Sequence, residues 1–180
     1  MIVVIYAHPY PHRSRACAAL VEAIREAPGL ELRSIYDLYP DFDIDPAAEQ
    51  AALEPARLVV WLHPLYWYTA PALMKHWFEA VLARGWAYGK GGTALAGKDC
   101  LWVSTSGGDE QAFSEAGRHR HAFSDFAPVV EQTARYCGMN WLAPFAVHGA
   151  HEIPEEALRD AGRRLRARLD AWTLEAKEKA

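Results

Sequence analysis

The chain of 180 residues contains only three cysteines, Cys17, Cys100 and Cys137. An odd number without CxxC spacing excludes a disulfide framework and a cysteine-based zinc site, and it fits a reducing compartment. Positive charge is not in excess either: 19 Lys and Arg stand against 23 Asp and Glu, for a formal net charge of −4. Nucleic-acid binding needs a basic footprint, so DNA and RNA are not expected partners. Long hydrophobic runs are missing as well. The most apolar stretch, LVVWLHPLYWYTAPALM, is interrupted by His63, Pro64 and Pro71, which leaves no segment long enough to cross a bilayer. MIVVIYAHPY lacks the basic flank and small-residue cleavage site of an export signal, so a cytoplasmic protein is expected. Two nucleotide signatures are absent, the GxxxxGK[ST] of hydrolysing P-loops and the GxGxxG of dinucleotide folds. The eight histidines form neither a helical i, i+4 pair nor a closed ligand set, so no metal site is expected.

What is present is an alternation of strand and helix patterns in a chain sized for one domain, 1–180, with 51% apolar and 23% charged residues. Apolar runs predict strands at 2–7, 30–38, 57–63, 98–106 and 142–149. Helical spacing predicts helices at about 14–27, 46–54, 70–84, 125–137 and 154–178. In the last of these, Leu158, Leu165, Leu169 and Trp172 share one stripe among Arg and Glu, as on a solvated helix packed by one face. A helix after every strand implies a parallel sheet with right-handed crossovers. IVVIY and LVVWL show no alternation, as strands covered on both faces should. The expected fold is α/β: a flavodoxin-like three-layer sandwich with a five-stranded parallel sheet of order 2-1-3-4-5 and helices on both faces.

In that order the loops after strands 1, 3 and 4 converge at one edge of the sheet, where such folds bind ligands. The first loop, HPYPHRSRAC, places Ser14 as helix cap, so its hydroxyl and the N–H groups of Arg15, Ala16 and Cys17 can wrap a phosphate, with His8 as a further donor. A plain capped helix after a turn explains the same residues. The second loop, HPLYWYTAP, supplies Tyr66, Trp67 and Tyr68 before a helix start at Pro71, material for a flat aromatic wall or for core. The third, TSGGDEQAF, has Gly107 and Gly108, which allow close backbone approach to a ligand or simply turn the chain. Together they describe a ligand with a phosphate at one end and a planar ring at the other, as in flavin mononucleotide. Third-loop N–H donors would favour its reduced form, which carries negative charge around N1 and O2.

AHPYPHRSRA, HPLYWYTAPALMKHWFEAV, GWAYGKGGTALAGK and TSGG, in this order and spacing, resemble the flavodoxin-like NAD(P)H:quinone oxidoreductases. LYPDFDID, AAEQAAL and YCGMNWLAPFAVH bring the chain closest to one branch, the ancillary flavoproteins of bacterial glutathione-gated potassium efflux systems, with the resemblance running to about residue 172. The resemblance implies FMN contacts from His8, Ser14, Arg15, Ala16 and Cys17 in the first loop. It implies others from Leu65, Tyr66, Trp67 and Tyr68 in the second, and from Thr105, Ser106, Gly107 and Gly108 in the third. Cys17 stands where the family usually has Asn, and Phe113 where animal relatives have a Tyr. His119 aligns with the active-site His of those relatives, with His121 as a rival in the run GRHRH.

The same resemblance implies a ping-pong cycle in which NAD(P)H reduces the flavin and a quinone then reoxidises it on the same platform. Tyr88 would lie over the open face of the ring, in a wall completed by the second subunit of a homodimer with KHWFEAVLARGW near the interface. Intrachain packing of Trp77, Phe78 and Trp86 explains that helix equally. FMN is expected rather than FAD, because the chain has little room for the insertions of FAD-binding relatives. The ancillary branch further implies docking on the cytoplasmic domain of a potassium-efflux membrane protein, hence a peripheral place on the inner membrane through that partner. Two alternatives stay open: a flavodoxin-type electron carrier, and a non-catalytic flavin-binding regulator of the efflux protein.

Overall fold

The computed structural model describes residues 1–178; the last two residues of the expected domain lie outside the described residues. Six strand segments and six helices follow in the order β1 (Ile2–Tyr6), α1 (Ala16–Ile24), β2 (Leu30–Ser34), α2 (Ile35–Leu38), α3 (Pro46–Leu53), β3 (Leu58–Pro64), α4 (Ala72–Val81), β4 (Asp99–Thr105), α5 (Ala127–Tyr136), β5 (Asn140–Trp141), β6 (Phe145–Val147) and α6 (Glu155–Glu178). The strands form one parallel sheet of order β2-β1-β3-β4-β5, with β6 also paired to β4. β1 and β3 are buried throughout, because helices cover both faces as their unbroken apolar runs require. On one face α3, α4 and α5 pack over Trp61, Trp77 and Trp102. On the other, α1 and α6 meet over Leu20, Ile24, Leu158, Leu165 and Leu169. Gly162 lets those two helices close up, since a Cβ there would stand 2.8 Å from that of Ala23.

Three expectations need correction. The stretch 30–38 is not one strand: β2 pairs only with β1, whose ladder ends at Tyr6 opposite Ser34. There the chain turns into α2, and the Ser34 hydroxyl donates to Asp37 at 2.5 Å. The fifth strand is two pieces, so the sheet has six strand segments rather than five. Leu142, Ala143 and Pro144 separate them, and a proline has no N–H for a ladder. The first helix starts at Ala16 rather than at Ser14, because Pro11–Arg13 form a separate 3-10 turn and Ser14 is extended (φ −70, ψ 127).

A charged cluster ties the edge of the sheet to its helices. Glu49 of α3 is fully buried. One of its oxygens accepts from Arg33 Nε at 2.8 Å, Arg33 Nη2 at 2.5 Å and Tyr39 Oη at 2.7 Å, and the other from Trp77 Nε1 at 2.8 Å. Four donors and no acceptor converge on it, which only an ionised carboxylate satisfies. The carboxylate in turn holds the Arg33 guanidinium still more firmly in its charged form.

Candidate functional site

The direction in which strands are added to the sheet reverses between β1 and β3, since β1 leads outward to β2 while β3 leads the other way to β4. That switch point is where open α/β sheets leave a crevice beyond the carboxyl ends of their strands. Main-chain bonds fasten the loops around it. Ala7 N–H donates to Leu62 O at 2.9 Å and Leu65 N–H to Thr105 O at 2.7 Å. Ser106 N–H donates to Val147 O at 2.9 Å, and Ala150 N–H to Ser106 O at 2.8 Å. The last two bring in a fourth loop, His148–His151, that the three-loop reading of the sequence missed. The signal was there: VHGAHEIPEE follows the fifth strand position and opens α6, so it also belongs at the carboxyl edge.

A cleft of ≈ 200 Å³ opens there, lined by residues of all four loops, among them His8, Arg13, Ser14, Arg15, Ala16, Cys17, Tyr66, Gly107 and His151. The first turn of α1 closes one end. Its leading N–H groups have no intrahelical carbonyl to pair with and carry the positive end of the helix dipole. Ser14 Oγ accepts from Ala18 N–H at 3.2 Å, so the hydroxyl braces the helix start and its proton remains free to donate. His8 Nδ1 accepts from Tyr10 N–H at 3.0 Å, which puts the ring proton on Nε2 and makes that nitrogen a donor. Burial lowers the His8 pKa, keeping the ring neutral. Cys17 is 1% exposed, and its Sγ lies 3.2 Å from Thr105 Oγ1. Burial pushes its thiol up to about 11, so Cys17 offers this cleft its N–H and no thiolate. N–H groups, a hydroxyl, an imidazole and two guanidinium side chains line this cleft, a donor set with the chemistry to take an anion such as a phosphate.

The second loop makes a two-residue hairpin turn. Tyr66 and Thr69 exchange both N–H···O bonds at 3.0 Å, with Trp67 (φ 50) and Tyr68 (φ 63) in the left-handed region. This is a type I′ arrangement, in which Asn and Gly are the comfortable residues and large aromatics are strained. Trp67 is 91% exposed. Leu65 spends its N–H on Thr105, so it has only its carbonyl and side chain to offer. The turn is thus an aromatic shelf held out beside the phosphate cleft.

The third loop is packed from two sides. A Cβ on Gly108 would meet His119 Nε2 at 2.8 Å, and one on Gly107 the His151 ring at 3.2 Å. His119 stacks on Phe113 at 4.4 Å, and its Nδ1 lies 3.4 Å from Tyr68 Oη. His121 instead stands 3.6 Å from Asp125 on an exposed turn, so of the two histidines it is His119 that joins the second loop to the third. Phe113 is buried under His119 with Phe123 and Phe126. Thr105 and Ser106 are 3% exposed, and the Ser106 hydroxyl is engaged internally, with Gly108 O at 2.9 Å and His148 Nδ1 at 2.8 Å. Burial lowers the His148 pKa against the opposing effect of Glu110 and Asp109.

Tyr88 is not in this cleft. Its loop folds back, with Gly85 N–H donating to Tyr88 O at 2.8 Å, and its ring packs on Tyr136 of α5 at 5.1 Å. That pair lies in a separate apolar groove of ≈ 830 Å³ between α4 and α5, running from Thr69 and Ala70 past Phe78 to Val129. Trp77 and Phe78 pack within the chain, Phe78 edge-on to Trp61 at 4.8 Å.

Fold and site together define a doubly wound α/β protein with an anion cradle and an aromatic shelf at its topological switch point. The chain belongs to the flavodoxin-like fold family, whose model matches residues 1–169. It is 49% identical over 172 residues to the glutathione-regulated potassium-efflux system ancillary protein KefF of Citrobacter koseri, covering 96% of this chain and 97% of that one. Among solved structures, general stress protein 14 of Treponema denticola in complex with FMN superimposes with a TM-score of 0.89 at 31% identity, over 94% of this chain and 98% of that one. An NADPH-quinone reductase of P. pentosaceus does so with a TM-score of 0.83 at 26% identity, over 92% and 95%. Among the described residues, no helix is long and apolar enough to cross a membrane, and no group of three His, Cys, Asp or Glu is placed to hold a metal ion.

Proposed function

We propose that the protein is an FMN-dependent NAD(P)H:quinone oxidoreductase that passes two electrons per cycle by a ping-pong route. The observation that carries this reading is the meeting of an anion cradle and an exposed, strained aromatic turn at one switch point. The solved relatives named for FMN and for NADPH-quinone reduction support it. When bound, FMN supplies a hydride acceptor and donor at N5 that no side chain can provide.

The chain's own residues bind and orient. The start of α1, His8 Nε2–H and the Ser14 hydroxyl take the phosphate, and the guanidinium groups of Arg13 and Arg15 add charge at its rim. Tyr66 and Trp67 cover ring surface and exclude water from it. Free N–H groups of the third loop would support the negative charge that develops on reduction, in the manner of an oxyanion site. His119, braced by Phe113 and Tyr68, is the donor to quinone oxygen. The likeness to the Citrobacter koseri protein supports a second role as ancillary subunit of a potassium-efflux protein, peripheral to the membrane through that partner. The exposed Val129 and Tyr136 beside the α4–α5 groove support a homodimer, with Tyr88 of each subunit at the seam.

The test is an anaerobic titration of the FMN-loaded protein with NADPH, then NADH, followed by visible absorbance with a quinone added last. Bleaching by one equivalent and recovery of the yellow spectrum on quinone addition is the expected result. Firm FMN binding with no reduction by either nicotinamide overturns the enzymatic reading and leaves the regulator. Accumulation of one-electron-reduced flavin points instead to the electron carrier.

A further inference from the structure

We propose that His148 is a positioning residue that fixes the peptide between Gly108 and Asp109 and thereby raises the preference of the site for reduced over oxidised flavin. This rests on the flavin reading above but concerns a residue outside the three loops that reading uses.

Ser106 Oγ lies 2.9 Å from Gly108 O and 2.8 Å from His148 Nδ1. A carbonyl only accepts, so the single hydroxyl proton must point at Gly108 O, and His148 must supply the other from Nδ1–H. The direction of the relay is therefore fixed: His148 donates to Ser106, and Ser106 donates to Gly108. Gly149 N–H, from the same fourth loop, also donates to Gly108 O at 2.9 Å. Both lone pairs of that carbonyl are thus engaged, one by Ser106 and one by Gly149 of the fourth loop. Because the peptide is trans, the N–H of Asp109 is held to the opposite side.

The His148 ring is itself fixed. It stands edge-on to Phe123 at 4.9 Å and tilted against Phe113 at 5.4 Å. His148 also borders a second cavity, together with Asp109 and Glu110 of the third loop, Ile153 and Arg164. Preorganised donors stabilise developing charge because they need not turn when it appears. Without the relay, Gly108 O keeps one of its two ties and is freer to swing its negative end toward the ring, which opposes reduction.

Three variants and two measurements test the relay. His148→Leu removes the donor and keeps bulk, His148→Asn keeps an N–H near the Nδ1 position, and Ser106→Ala cuts the chain one link later. In the flavin-bound proteins, affinity for reduced FMN should fall about tenfold more than affinity for oxidised FMN in His148→Leu and Ser106→Ala. That ratio is a midpoint potential lower by about 30 mV for a two-electron couple. His148→Asn should restore most of it. In the flavin-free proteins, amide exchange at Gly149 should quicken about tenfold in the same two variants and not in His148→Asn. Unchanged potentials in both Leu and Ala variants, or an Asn variant that behaves like Leu, overturn the proposal. Should His148→Leu fail to fold, Ser106→Ala carries the same test one bond further along. Should the wild type bind no flavin, the functional reading falls, while the exchange rates still accept or reject the relay.

Discussion

Acid should loosen this protein through one histidine that no ligand touches. His63 is fully buried as the next-to-last residue of β3. Its Nδ1–H donates to Pro64 O at 3.0 Å, and its Nε2 accepts the Trp102 indole N–H, also at 3.0 Å. Both nitrogens are thus committed to one neutral tautomer. Protonating Nε2 would set N–H against N–H in a dry core, and burial accordingly lowers the His63 pKa from 6.5 to about 4. The unfolded chain binds this proton near pH 6.5 and the folded one only near pH 4, so between those values the unfolded state holds more protons and stability rises with pH. The contribution is whole above pH 6.5, is lost progressively as pH falls through the window, and is gone below pH 4. At about 1.4 kcal/mol per unit over the gap, the loss is on the order of 3 kcal/mol. His8 and His148 are shifted the same way, so the His63 share must be isolated by difference. Urea unfolding of wild type and His63→Gln from pH 7.5 to 4 does this. The variant starts less stable, since Pro64 O loses the Nδ1–H donor, but its stability should fall with acid by roughly 1 kcal/mol less per pH unit. Parallel curves would refute the reasoning, as would a nitrogen NMR spectrum of wild type showing the imidazolium of His63 at pH 6.

Two further outcomes follow from the same packing. Glu49→Gln should cost about 3 kcal/mol, near the lower end for breaking a buried ion pair, because Arg33 keeps Glu31 at 2.9 Å and some solvent contact. In a domain of this size, that is a melting temperature lower by roughly 6–12 °C in calorimetry, and a change under 2 °C would contradict the account of the cluster. Trp67→Asn should move stability and binding in opposite directions. Relief of the left-handed turn should stabilise the flavin-free protein by about 0.5–1 kcal/mol, while loss of an aromatic contact should weaken FMN about tenfold. Thermal unfolding and flavin-fluorescence titration check the two halves.

The fold was legible because its signals are strong and local. IVVIY and LVVWL read as doubly covered strands and are, and the leucine stripe of 158–172 packs as its spacing predicts. Errors fell where pairing partners decide. Ser34 stops being strand because β1 runs out beside it, and nothing within LELRSIYDL says how long the neighbouring strand is. That Ser14 to Cys17 line one cleft was legible too, since residues adjacent in sequence stay adjacent in space. What stayed hidden was contact across sequence distance. His151 reaches the same cleft from 138 residues beyond Arg13, and the Ser106 hydroxyl meets His148. The packing of Tyr88 on Tyr136 of α5 is another such contact across sequence distance.

The interrupted fifth strand bears on how this protein behaves in a crowded solution. An outer strand displays unpaired N–H and C=O groups in register, which is the template another chain needs to add itself to the sheet and seed a fibre. Here that border offers two residues, then a gap containing Pro144, then three more. Arg168 of α6 also donates to the carbonyls of Ala143 and Pro144 within the gap, occupying acceptors that an intruder would use. A continuous fifth strand would have extended the sheet further, and it would also have given every other copy of the chain a place to attach.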